Sequence, residues 1–222
     1  MFTGLIGAVC TVKSALATGG GMHLTVDLGQ LAPASNKLGQ ADEAKIGDSI
    51  AINGVCLTIA KLDGNFATFD VSGETLTKST LGKLRPASQV NTELAMKATG
   101  RFGGHIVQGH IDGVATIRAI ERKGQFADMR FAAKSELLDQ MIVKGSVAVD
   151  GISLTIANMN ENDFTVSLIP ETLQKTTLGA ARIGDVVNIE IDIIAKIIKK
   201  QLDKILPREK KLTAKRLKEL GF

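Results

Sequence analysis

A chain that repeats half of itself must fold as two similar units, and this one does: displaced by 97 residues, Ser49 to Ala60 falls without a gap on Ser146 to Ala157. Between positions 49 and 82, 16 of 34 residues are identical to their counterparts, where average residue usage would give about two. The register continues through Glu74-Thr75-Leu76 on Glu171-Thr172-Leu173 and Val90-Asn91 on Val187-Asn188. A period of 97 is far longer than a solenoid repeat, so each copy needs a core of its own. Gly4 to Val9 echo Gly109 to Val114 at a displacement of 105, which puts eight extra residues of the first copy into its loops. The boundary falls near residues 96 to 100, ahead of Arg101-Phe102-Gly103-Gly104.

Within each copy the apolar residues alternate in short runs, as in Met22 to Asp27 and Phe164 to Leu168, and period 2 is the mark of half-buried strands. Asp63-Gly64-Asn65 and Asn160 to Asp163 supply turns at equivalent places. About six strands per copy predict an all-β fold of two six-stranded antiparallel Greek-key barrels in tandem, since closure removes exposed edges. Short helices are expected at Ser135 to Met141 and after Glu74 and Glu171. From Ile193 the spacing of Ile194, Ile197, Ile198, Leu202, Ile205 and Leu206 becomes helical, with Lys196, Lys199, Lys200 and Lys204 between them. Pro207 ends that helix, and Leu212, Leu217 and Leu220 predict a second, shorter one. The expected division is 1–97 and 98–192 for the barrels and 193–222 for an oligomerising helix and basic tail.

Charge is uneven: residues 196 to 222 hold ten Lys/Arg against three Asp/Glu, and residues 1 to 195 hold 17 against 20. A basic tail can bind nucleic acid, but a solvated amphipathic helix explains it as well. With no Trp or Tyr, base stacking would rest on Phe alone, so no nucleic-acid partner is expected. No apolar run reaches the ~18 residues of a membrane span. The first residues lack the positive start of a secretory signal, and the two cysteines, Cys10 and Cys56, have no metal-ligand spacing. The expectation is a cytoplasmic protein without membrane partner or metal site.

His23 stands alone in a strand-like run and reads as structural or exposed. His105 and His110, in the glycine-rich stretch Gly103 to Gly113, would point to opposite faces if that stretch were a strand, which suits acid–base work better than a shared metal. Cys56 and Ser153 occupy one repeat position with thiol and hydroxyl, and Thr58 and Thr155 follow on the same face. Spacing alone fits neutral drift between small residues equally well. Phosphate-loop, dinucleotide and nucleophile-elbow motifs are absent.

Met1 to Gly4, Gly103 to His110, Asp150 to Thr155, Ile169 to Leu173 and Val187 to Asp192 together, in this order and spacing, resemble riboflavin synthase α-chains over residues 1 to about 206. The resemblance implies a homotrimer, no cofactor, and a dismutation of two 6,7-dimethyl-8-ribityllumazine molecules. Four carbons pass from one to the other, giving riboflavin and 5-amino-6-ribitylaminouracil, and association with lumazine synthase is a further expectation. Each site would lie between the first barrel of one subunit and the second barrel of its neighbour.

Carried over position by position, the resemblance implies a first pocket of Gly4, Leu5, Ile6, Cys56, Leu57 and Thr58 with Asp70, Val71, Ser72, Gly73, Glu74 and Thr75. The second would hold Gly109, His110, Ile111, Lys144, Ser153, Leu154 and Thr155 with Ser167, Leu168, Ile169, Pro170, Glu171 and Thr172. Phe2, Ser49, His105 and Asp192 match residues the family places at or beside the reacting centre, so they join His110, Ser153 and Cys56 as the catalytic set. The Arg usual soon after the first Glu-Thr-Leu is missing here. The alternatives are a non-catalytic lumazine or flavin antenna protein, which tends to keep one working pocket, and a flavin reductase barrel, whose Arg-x-Tyr-Ser motif this chain lacks.

Overall fold

The structure is a computed structural model that describes residues 1–31 and 44–205. In the first copy β1 (Ala8–Thr18), β2 (Gly21–Asp27), β3 (Ser49–Ile52), β4 (Val55–Asp63), β5 (Phe66–Ser72) and β6 (Gln89–Leu94) close a barrel in the order β1-β2-β5-β4-β3-β6. In the second, β7 (Gly113–Lys123), β8 (Phe126–Ala132), β9 (Ser146–Val149), β10 (Ile152–Met159), β11 (Asp163–Leu168) and β12 (Val186–Ile191) close in the equivalent order, β7-β8-β11-β10-β9-β12. Neighbouring strands are antiparallel throughout, so the two Greek-key barrels expected from the repeat are the observed fold. β1 and β2 match β7 and β8 at a displacement of 105, and β3 to β6 match their counterparts near 97, which places the eight extra residues between Asp27 and Ser49.

Among the described residues four α-helices accompany the barrels: α1 (Gly73–Lys78), α2 (Ser135–Leu138), α3 (Pro170–Lys175) and α4 (Ile193–Ile205). Ser72 caps α1 by accepting from the Thr75 amide, and Pro170 opens α3, where a missing N–H costs nothing. α4 keeps Ile194, Ile197, Ile198, Leu202 and Ile205 about half exposed or more. Leu206, Pro207 and the stretch with Leu212, Leu217 and Leu220 lie outside the described residues. No described helix is long and apolar enough to cross a membrane.

Each barrel has its own apolar core, the first around Leu24, Ile50, Ile59 and Phe69, the second around Ile117, Met129, Phe131 and Phe164. The barrels meet along a seam with approximate twofold reciprocity. Its origin is the two-residue hairpin turns Asn53-Gly54 and Asp150-Gly151, whose residues all have positive φ, the geometry of a tight turn that matches strand twist. The turns touch so closely that a Cβ on Gly54 would lie 2.6 Å from the Gly151 nitrogen. Asn91 donates to the Asp150 carbonyl (3.0 Å) and accepts from the Thr177 amide (2.9 Å), while Asn188 donates to the Asn53 carbonyl (2.9 Å) and accepts from the Thr80 amide (2.7 Å). Exchange of the same bonds in both directions is the pattern of an isologous interface, here between copies within one chain.

The paired turns of the seam are unequal in one side chain. Asn53 accepts from the Asn91 amide (2.8 Å), and at the matching place the Asp150 carboxylate accepts from the Asn188 amide (2.8 Å). Burial pushes the Asp150 carboxyl from 3.8 up to about 7, against the pull of that amide. Because the folded pKa lies above the unfolded one, ionisation costs stability progressively as pH rises from 3.8 to about 7, and the full cost persists above. At ~1.4 kcal/mol per unit the cost is roughly 4 kcal/mol at pH 8. Asp150→Asn should therefore raise the denaturant midpoint clearly at pH 8 and hardly at pH 4. Equal midpoints at pH 8 would show that the carboxylate is stabilised by other means.

Candidate functional site

The residues that carry the family motifs gather where two short extended segments cross the seam. Phe2 and Val107 form an antiparallel bridge, with Phe2 N–H donating to Val107 O (2.7 Å) and Val107 N–H to Phe2 O (3.2 Å). From there each segment leaves its own barrel and lies against the other. The Ser153 amide donates to Gly4 O and the Cys56 amide to Gly109 O, both at 2.9 Å. Ile6 packs on the core of the second barrel and Ile111 on that of the first. Gly4 and Gly109 have φ of 77° and 85°, and a Cβ would stand 2.6 Å from Ser153 Cβ and 2.3 Å from Cys56 Cβ. Glycine is required at both by conformation and by contact.

This crossing corrects the grouping expected from sequence. Gly4, Leu5 and Ile6 belong with Ser153, Leu154 and Thr155, and Gly109, His110 and Ile111 belong with Cys56, Leu57 and Thr58. Each segment precedes the first strand of its barrel, so it is free to add to a strand of the opposite one. A second correction concerns His105 and His110: residues 105 to 112 form no strand beyond the bridge at Val107, so strand alternation does not set their directions.

Two glutamates missed in the sequence reading hold these segments. Glu93 accepts from Thr3 N (2.7 Å), Thr3 Oγ1 (2.7 Å) and Gly4 N (3.0 Å). Glu190 accepts from Gln108 N (2.6 Å), Gly109 N (2.9 Å) and His110 N (3.1 Å). Burial raises both carboxyls, and the donated hydrogen bonds pull them back down. The available signal was that β6 and β12 keep a Glu at the same repeat position in strands buried on both faces.

Beside the second barrel's strand, His105 Nδ1 lies 2.7 Å from Ser153 Oγ. His105 is buried and its Nε2 has no hydrogen-bond partner. Burial lowers its pKa and the charge of Asp192 works against that, so the ring is neutral at pH 7. Asp192 also accepts from the Ile194 amide (2.9 Å) at the start of α4. Leu5, Phe102 and Ile169 stand about half exposed.

Among the described residues the first barrel shows no such pair. A cleft of about 230 Å³ is lined by Cys56, Glu74, Thr75, Lys78, Gly109, His110 and Ile111 among others. Lys78 is bound to Glu74 (2.8 Å) and brings a cation to this cleft, one residue beyond Thr77. Phe2 is fully buried with Ala51, Val107 and Ala148, so it acts by anchoring Thr3 and Gly4. Ser49 pairs with Thr58 across β3 and β4, and Lys144 sits in a turn at φ 67°. Asp70 faces His23 (Nδ1–Oδ1 2.6 Å), and Ser167 donates to Asp128 (2.6 Å), both on the outer side. Val71 and Leu168 are buried in their cores, while Ser72, Gly73, Pro170, Glu171 and Thr172 belong to the caps and first turns of α1 and α3. Among the described residues no three His, Cys, Asp or Glu side chains are grouped to hold a metal ion.

Two fused barrels that exchange segments across a seam define a duplicated ligand-binding barrel protein, and the lumazine binding domain profile matches it twice, at residues 3–95 and 108–192. The chain is 40% identical over its whole length to the whole of the riboflavin synthase of Actinobacillus pleuropneumoniae, and 39% identical, again over both full lengths, to that of Bacillus subtilis (strain 168). The crystal structure of LumP complexed with 6,7-dimethyl-8-(1'-D-ribityl) lumazine superposes with a TM-score of 0.74 at 19% identity, covering 86% of this chain and 98% of that one. The chain belongs to the riboflavin synthase family.

Proposed function

We propose that the chain is a transferase that converts two molecules of 6,7-dimethyl-8-ribityllumazine into riboflavin and 5-amino-6-ribitylaminouracil, using sites built from the crossed segments. The observation that carries this is that both copies keep a complete pocket framework: the loop glycine on the Cys56 or Ser153 strand, the clamping glutamate, and the Glu-Thr-Leu helix. An antenna protein needs one pocket. Joining two copies of one molecule needs two, and holding both turns a bimolecular encounter into an oriented one, worth up to ~7–11 kcal/mol of barrier.

The reaction needs a base for the acidic C7 methyl of one lumazine and an oxygen nucleophile at C7 of the other. His105, neutral through burial, is suited to exchange a proton with Ser153 Oγ over 2.7 Å. Nε2 is buried, so Ser153 is the side through which the ring meets a ligand. The first cleft offers a thiol, a lysine and His110, so the two pockets differ in chemistry although they share a frame.

A homotrimer fits the half-exposed apolar face of α4 and the exposed Leu5, Phe102 and Ile169 beside the second site, with each working site shared between neighbours. The units are 1–97, 98–192 and 193–222, the location cytoplasmic, no cofactor is used, and lumazine synthase is a candidate partner. Incubation with the lumazine, followed by riboflavin fluorescence, tests the reaction, and calorimetry should count two ligands per chain without added metal. One site per chain, or activity abolished by a chelator, would overturn this reading.

A further inference from the structure

The two crossed segments follow the same backbone course, yet one difference between them lies just beyond the site. Gly7 and Asp112 occupy the same repeat position with the same backbone bond, Gly7 N–H to Thr92 O and Asp112 N–H to Ile189 O, both 2.9 Å. The backbone needs no side chain there. Asp112 nevertheless places its carboxylate against Lys196 Nζ, with both oxygens at 2.7 Å, and accepts from the Ile191 amide at 2.8 Å. The Lys196 and Asp112 side chains are only 22% and 23% exposed, so the pair is shielded well beyond a surface ion pair. Lys199 adds a bond from the same helix to Asp139 O (3.0 Å). The carboxylate is thus present in the copy that a helix follows and absent from the one that a linker follows.

We propose that Asp112 is a positioning residue: through Lys196 it ties the docking of α4 to the placement of Gly109, His110 and Ile111 in the first barrel's site. Asp112 is two residues from His110, whose amide is already fixed by Glu190, so the segment is held at one end by the barrel and at the other by the helix. Releasing the helix end leaves the clamp intact and lets the His110 side of the cleft shift. A misplacement of about 1 Å at a reacting centre can cost as much as 10²-fold in rate. The inference rests on the proposed reaction, because it assigns the cleft a part in turnover.

The test uses Asp112→Asn, which can still accept from Ile191, and Lys196→Met, which keeps the stem length. Each should lower kcat about tenfold with KM within about twofold, and the double variant should be no worse than the poorer single one. Light scattering should give the same mass as the parent chain. In Lys196→Met, the amide NMR signals of His110 and Ile111 should move although the substitution is in the helix, and this readout stands even if the parent chain does not turn over lumazine. Unchanged kcat in both single variants, additive losses, or a loss that tracks a fall in mass would overturn the proposal. So would His110 and Ile111 signals that stay in place.

Discussion

Ser153→Ala and His105→Gln should each lower kcat by a factor of at least about 10² while ligand affinity stays within a few-fold, the expected size for a positioned proton-transfer group. The two lie 2.7 Å apart and share one proton path, so the double variant should be little worse than either single one. Independent roles would instead multiply the losses. The pH profile gives a second reading. Burial holds the His105 pKa below its ordinary 6.5, so the working neutral ring is lost only as pH falls through that depressed value. The acid limb of kcat should sit below pH 6.5 in the parent chain and disappear in His105→Gln. His110→Gln is the control from the other site: its ring is exposed at the first cleft, and it should leave that limb in place. If His110→Gln removes the limb and His105→Gln does not, the acid–base work belongs to the first barrel.

The sequence carried the two barrels because their signals are local and doubled: alternation in β2 and β11, and the Asn53-Gly54 and Asp150-Gly151 turns at one repeat position. Its doubled motifs also marked residues that the fold gathers at the crossed segments, Gly4 against Ser153 and Gly109 against Cys56. It could not show which segment serves which barrel, because the crossing is a tertiary event. Gly4 and Ser153 are brought together by a seam that no local pattern encodes. Nor did it separate His105 from His110 in role, since reading their stretch as a strand hid the fact that one ring is buried against Ser153 and the other is open. Glu93 and Glu190 were given no role because a glutamate in a strand reads as an outward-facing residue, yet both are buried under donated amides.

Removal of everything after Asp192 should leave two folded barrels that bind ligand and turn over almost none. The barrel cores take only Ala195 from α4, so truncation leaves them nearly complete, and the seam is made within residues 1–192. What is lost is the Lys196–Asp112 tie, the Lys199 bond to Asp139 O, and the face of Ile194, Ile197, Ile198, Leu202 and Ile205, each 49–72% exposed in the single chain. Covering such side chains in an assembly is worth on the order of 5–10 kcal/mol per chain before the entropy of association is subtracted. That is enough to hold subunits together and too much to leave in water without consequence. If working sites are shared between neighbours, the truncated chain should elute as a monomer, quench lumazine fluorescence with two sites per chain, and show kcat down by more than about 10³, since effective concentration between the two substrates is gone. Light scattering and activity on the same sample decide the matter. A stable trimer would show that the barrels hold the assembly without the helix, and a monomer with full activity would place both substrates within one chain.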